Sequence, residues 1–321
     1  MLGLVVSVVV SMFSRMFPVR YLTPLVVKMV TSLTCVATIV VAFPLYASAT
    51  VPVTAGDGGI VEEQCGETPV HIRVDSADVP GRSACFGLKK ESGWIALNIT
   101  GSYGVVNNLT VPVNVSFKLP NGAVYWSVTV DPGKVKTIDV NRGGSTVVEL
   151  QVAPVGSPSG PGNGSLVPTL SGENDNVVSL RSSRRESFGA YLRVGWSGVY
   201  AETMSRNSGF TDRIDASFRV VEGLSNIGCI SLESAAYPGT YLEAVDVVAG
   251  AGLRVSAEPR ATYATWCVSP VAVPPTGQRL VSAVDQRFAI STDGEGRVSM
   301  TTTRAVDSVW FADQALAFPG V

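Results

Sequence analysis

The chain has 321 residues, 46% apolar and 16% charged, with 24 basic against 26 acidic side chains and one histidine. This length allows two domains. The near-balanced charge, without a basic stripe, argues against nucleic-acid or anionic-lipid binding.

The first 49 residues differ from the rest. They hold Arg15, Arg20 and Lys28, no acid and long apolar runs, and Asp57 is the first carboxylate. Lys28, the apolar stretch Met29 to Tyr46 and the small residues Ala47-Ser48-Ala49 follow the order of a secretory signal peptide cleaved after Ala49. The alternative is a retained anchor, since Leu22 to Tyr46 reaches the ~20 residues that a membrane span needs. The extra run Leu2 to Phe13 is accommodated by a start at Met16 or Met29. Cleavage removes three of the 24 basic residues and no acids, leaving 21 against 26. The expected location is extracellular, with a membrane as partner only if the leader is retained.

Apart from Cys35 in the leader, the cysteines fall in two pairs, Cys65 with Cys85 and Cys229 with Cys267. Even numbers in an exported chain predict two disulfides. Zinc is the weaker alternative, because there is no CxxC pair and His71 stands alone. No metal or other cofactor is expected.

Residues 50–153 alternate apolar and polar side chains as half-buried strands do. The clearest hairpin is Val111 to Phe117, a Leu119-Pro120-Asn121-Gly122 turn, and Ala123 to Val130, with Asn-Gly favoured because both residues tolerate positive φ. Pro132-Gly133 turns the chain into Val135 to Val140, and Val147 to Val152 is the last strand. The expectation is a small β-sandwich of unknown role. Its carboxylates, Glu149 among them, lie in no catalytic motif and read as a solvated face, and His71 has no neighbouring nucleophile signal. Asn98, Asn108, Asn114 and Asn163 head glycosylation sequons. Residues 154–175 are rich in Gly, Ser and Pro and read as a linker, a flexible to semi-extended tether.

From residue 176 to the C-terminus the chain repeats three times. A Leu among small polar residues (Leu180, Leu232, Leu280) is followed by an aromatic (Tyr191, Tyr241, Phe288). A Gly-led apolar segment comes next (Gly198, Gly252, Gly296), then a closing aromatic (Phe218, Trp266, Trp310). Four short strands per unit and three units suit a closed β-trefoil, with a three-bladed propeller as the rival. Recurring large side chains at fixed repeat positions are expected to fill the core. The fold class is therefore all-β: a leader, a small sandwich-like domain and a C-terminal β-trefoil.

Asp215-Ala-Ser-Phe-Arg-Val-Val, Cys229 and Ser-Leu-Glu-Ser-x-x-Tyr-Pro-Gly-x-Tyr-Leu resemble the arabinose-binding domain of α-L-arabinofuranosidase B, a family 42 carbohydrate-binding module. The resemblance is strong in the first two repeats and weak in the third. It implies a trefoil that binds arabinofuranose side chains, with hydrolysis assigned to a separate, larger domain.

In that family a His just after Tyr-Leu-x and an Asp just before Ala-x-Phe hydrogen-bond the sugar. The corresponding pairs here are Val194 with Asp215, Ala244 with Tyr263, and Ser291 with Asp307, so no repeat keeps both partners. Tyr191, Arg193, Asp215, Tyr241 and Asp307 remain as candidate ligand-binding residues, with Tyr200 as a further partner. The retained aspartates also suit a structural role in the turn before the last strand. Two readings stay open: altered sugar chemistry, or decayed pockets on a scaffold.

The functional expectation is a secreted, non-catalytic protein binding arabinose-containing or related polysaccharide. The alternatives are an α-L-arabinofuranosidase, for which the 100-residue first module is small, and a cell-envelope interaction protein without a sugar ligand.

Overall fold

A computed structural model describes residues 51–66, 72–120, 124–138, 143–156, 164–168, 176–184, 189–271, 277–303 and 305–320. The expected leader, His71, Asn121, Gly122 and Asn163 lie outside the described residues. Among the described residues, no helix is long and apolar enough to cross a membrane and no cluster of metal-ligating side chains occurs.

The first module contains β1 (Val53–Gly56), β2 (Ile60–Glu63), β3 (Ile72–Ser76), β4 (Ser83–Leu88) and the long β5 (Gly93–Asn107). It continues through β6 (Val113–Lys118), β7 (Tyr125–Val130), β8 (Lys134–Thr137) and β9 (Ser145–Val152). β5 belongs to two layers. Its first half pairs with β1 and β9, its second half with β3 and β8, and the register shifts between Ala96 and Ser102. Such irregularities bend a strand, so the layers β1-β5-β9-β6-β7 and β2-β4-β3-β5-β8 enclose a common core. That core contains Ile72, Val74, Phe86, Leu97, Val115 and Leu150.

The expected hairpin is present as β6 and β7, in register from Val113 opposite Val130 to Lys118 opposite Tyr125. Alternation buries Val113, Val115 and Phe117 along β6. Gly133 turns the chain at φ +67° into β8. Cys65 and Cys85 are bonded, with 5.4 Å between their Cα atoms.

The second module contains twelve strands among the described residues. The first unit holds β10 (Val177–Ser182), β11 (Ala190–Gly195), β12 (Gly198–Thr203), the short helix α1 (Phe210–Asp215) and β13 (Phe218–Glu222). The second holds β14 (Ile230–Ser234), β15 (Tyr241–Ala244), β16 (Leu253–Ser256) and β17 (Trp266–Pro270). The third holds β18 (Gln278–Ser282), β19 (Phe288–Thr292), β20 (Val298–Thr302) and β21 (Trp310–Gln314).

Pairing runs β10 to β13, β14, β17, β18, β21 and back to β10, which closes a six-stranded ring with no free edge. The hairpins β11–β12, β15–β16 and β19–β20 cap it. They are bridged by Tyr200 opposite Arg297 and Gly252 opposite Ser299. The Gly296 carbonyl accepts from Ala201 N–H at 2.7 Å. Gly296 sits at φ +83° with any Cβ only 2.4 Å from the Ala201 carbonyl oxygen, so the approach demands glycine.

The closing aromatics Phe218, Trp266 and Trp310 and the anchors Leu180, Leu232 and Leu280 are buried in one core. Both indole N–H groups donate to carbonyls, Trp266 to Leu242 at 3.2 Å and Trp310 to Ile290 at 3.0 Å. Cys229 and Cys267 are bonded across the second unit. This closed threefold ring is a β-trefoil, not a propeller, since its strands form one barrel and no radial blades.

The two modules share one compact unit, residues 48–321. Trp94, Ala96 and Val148 of the first pack with Phe210, Ile214 and the C-terminal Ala315, Ala317 and Phe318. Here the solvated-face reading of Glu149 is corrected. Its side chain is 1% exposed and accepts two bonds from Arg213, at 2.6 and 3.0 Å, while Arg213 also donates to the Leu316 carbonyl at 2.7 Å. A carboxylate removed from water requires such a partner. Arg206 stacks 3.6 Å over Trp94 and donates to the Ala315 carbonyl. The described part of the Gly/Ser/Pro-rich segment is seated too: Val155 and Leu166 are buried, and Gly164 N–H donates to the Ala312 carbonyl.

Candidate functional site

Three equivalent positions on the trefoil hold the candidate residues, and each has a different chemistry. The residues that replace the expected imidazoles are inward: Val194 and Ala244 join the core, and Ser291 is 7% exposed with its hydroxyl donating to the Asp307 carbonyl. Strand alternation forces this, because Val194 and Ala244 lie on the same face of β11 and β15 as the core residues Leu192 and Leu242. Imidazole chemistry is therefore absent from these positions, and the outward side chains carry what polar function remains.

In the first unit, Arg193 on β11 and Asp215 at the end of α1 come within 3.6 Å. Arg193 also pairs with Glu202 of β12 and with Asp212 of α1 at 2.6 Å, and lies 5.8 Å from the centre of the Tyr200 ring. Three carboxylates thus face one guanidinium. Burial pushes the Asp215 carboxyl up to about 6, opposed by Arg193 and reinforced by Asp212. Tyr237, half exposed, lies in the Tyr-Pro-Gly turn that Ala235 N–H ties to the Ser217 carbonyl at 3.0 Å, with Ala235 and Ala236 packed in one cluster with Ile214 of α1, and burial, then the Asp215 charge, raise its phenol. An aromatic face open to solvent beside a carboxylate and a guanidinium can hold a polyhydroxylated ring, with the ring's C–H face on the aromatic and its hydroxyls on the charges.

Tyr191 is placed otherwise. Its ring is 4% exposed, and its hydroxyl donates to Asp313 at 2.9 Å, inside a triad with Arg181. Burial, then the Asp313 charge, raise its phenol. This is framework, enclosed by β10 and β21.

In the second unit Glu243 is fully buried, bonded by Arg254 and by the backbone N–H of Arg260 at 2.8 Å. Arg260 stacks 3.8 Å over Tyr263, the residue at the acid position. That position is closed by internal charge pairing. Tyr241 lies apart from it, beside Glu233, and burial and that charge raise its phenol. In the third unit Asp307 pairs with Arg184 at 2.5 Å. The candidates therefore divide among three units, and only Arg193, Asp215 and the further partner Tyr200 come together.

Sequence reasoning missed Asp212, Glu202 and Tyr237. Asp212 and Glu202 had a legible signal, as carboxylates in a unit with an unmatched Arg193. Tyr237 lies in the quoted Tyr-Pro-Gly motif, but nothing in the sequence joined it to Asp215, because the turn that carries it belongs to the following repeat.

With this geometry in place, residues 178–285 match the model of the Alpha-L-arabinofuranosidase B (ABFB) domain. Among solved structures, a glycoside hydrolase family 54 α-L-arabinofuranosidase soaked with a cyclic sulfate inhibitor aligns at 18% identity. The alignment covers 70% of this chain and 53% of that one, about half its length, with a TM-score of 0.40. An arabinofuranosidase complexed with arabinofuranosyl-α-1,2-xylobiose aligns at 15% identity over 77% of this chain and 78% of its own, TM-score 0.40. A designed threefold symmetric protein, ThreeFoil, aligns at 16% identity over 43% of this chain and 98% of its own, TM-score 0.34. No curated protein matches the chain.

Proposed function

We propose, from the premise that residues 178–285 form an arabinose-binding domain of the arabinofuranosidase B type, that this is a secreted, non-catalytic protein that holds arabinose-containing or related polysaccharide. The single observation that carries the reading is the cluster of Arg193, Asp215 and Tyr237 inside that domain. Two disulfides support an oxidising, extracellular setting. The sugar would stack on the exposed Tyr237 ring while its hydroxyls bond to Asp215 and Arg193. The role of the first module is to brace the trefoil through the Glu149–Arg213 contact, which presents the cluster on a rigid support.

Retention on immobilised arabinan, arabinoxylan and arabinogalactan tests this. The protein is expected to be retained on at least one, with Tyr237→Ala and Asp215→Asn each reducing retention about tenfold. No retention on any of the three polymers rejects the reading.

A further inference from the structure

The threefold symmetry exposes a second site on another face of the barrel, where the last strand of one unit pairs with the first strand of the next. Two of these three junctions carry a cross-strand ion pair, at neighbouring but not equivalent positions of the repeat. Between β21 and β10 it is Arg181 with Asp313 at 2.6 Å, sealed by Tyr191. Between β13 and β14 it is Arg219 with Glu233 at 3.0 Å, and Glu233 also accepts the Gly239 N–H.

Between β17 and β18 the counterparts of Arg219 and Glu233 are Cys267, held in its disulfide, and Val281. Short neutral side chains leave a cavity of about 390 Å³ there. Its lining includes Val268, Ser269, Arg279, Val281, Gln286 and Thr303. Arg279 stands where the other two units have Ser179 and Ser231. Its Nε donates to the Ser308 hydroxyl at 3.0 Å, and among the described residues it forms no ion pair. Two junctions therefore carry an ion pair, whereas at the third both pair positions are neutral, and Arg279, from a different position of the repeat, lines the cavity without a carboxylate partner among the described residues.

We propose that this cavity binds a uronic acid, free or as a residue of an acidic polysaccharide, whose carboxylate pairs with Arg279. The guanidinium of Arg279 offers paired N–H donors to a carboxylate. Ser269, Gln286 and Thr303 present hydroxyl and amide groups for ring hydroxyls, and Val281 gives an apolar wall for the C–H face. The volume lies within the range of about 300–1,000 Å³ of small-molecule sites. The site is separate from the Arg193–Asp215–Tyr237 cluster and stands or falls without it.

Calorimetric titration of the protein with D-glucuronate, glucose and acetate tests the proposal. Glucuronate is expected to saturate one site, with glucose and acetate each at least about tenfold weaker, because carboxylate and ring are both read. Arg279→Gln is expected to weaken glucuronate about tenfold or more. Val281→Glu, which restores an acid and fills the space, is expected to abolish binding, and Asp215→Asn to leave it unchanged. Absence of saturation by glucuronate, equal affinity for acetate, or unchanged affinity in Arg279→Gln overturns the proposal. Galacturonan retention lost in Arg279→Gln distinguishes a polymer-bound uronate from the free acid as the natural source.

Discussion

Asp215 shows how one residue gains its character from position. A carboxyl in water titrates near 3.8, while burial at the end of α1 holds this one at about 6 despite Arg193 beside it. An acid whose folded pKa exceeds its unfolded value binds its proton more tightly when folded. Its contribution favours folding at low pH and is lost as pH rises from about 4 through about 6. Carbon-detected titration of the Asp215 carboxyl is expected to give a midpoint near 6, and Asp215→Asn to flatten the pH dependence of stability across that window. A midpoint at the ordinary carboxylate value would contradict the buried placement. Sugar retention through Asp215 as an acceptor should accordingly strengthen as pH rises through 6, which a pH series of the polysaccharide assay would measure.

At the scale of elements, the barrel is closed by strand pairs whose large residues recur at the same position. Trp310 is 1% exposed and its indole N–H is satisfied, so Trp310→Ala removes both packing and a hydrogen bond. A loss of about 3–5 kcal/mol is expected in urea unfolding, the range for deleting a buried aromatic. The Cys229–Cys267 bond spans 38 residues of the second unit. The chain-entropy model assigns such a loop about 4 kcal/mol, so replacing both cysteines by Ser should lower the urea midpoint without altering the far-ultraviolet spectrum. The repeat, its closing aromatics and the cysteine pairing were all legible before any coordinates. Period and residue type report which side chains face inward when the same supersecondary unit recurs. The hairpin of β6 and β7 was equally legible from alternation and a turn-forming sequence.

For the whole molecule, the decisive feature is the shared core between the modules. Arg213 and Glu149 are 64 positions apart and nearly without solvent contact. Arg213→Ala leaves a buried carboxylate unpaired and is expected to cost about 3–5 kcal/mol, whereas replacing both residues by apolar ones of similar volume should cost far less. Because Trp94, Phe210 and Phe318 lie in one cluster, calorimetry should show a single unfolding transition. Two resolved transitions would mean that the modules fold independently, as the tether reading of residues 154–175 implies.

What the sequence determined by itself is the all-β class, the threefold repeat, the two cysteine pairs and the likeness of residues 176–321 to an arabinose-binding domain. These depend on local period, turn chemistry and short motifs, which are properties of neighbouring residues. Tertiary structure alone decided which charges are partnered and which are open. Glu149 looked solvated until α1 covered it, Tyr191 looked available until Asp313 engaged it, and Tyr237 joined Asp215 from a different repeat. The physical reason is that burial and electrostatic pairing depend on distances between residues far apart in sequence, and folding alone sets those distances.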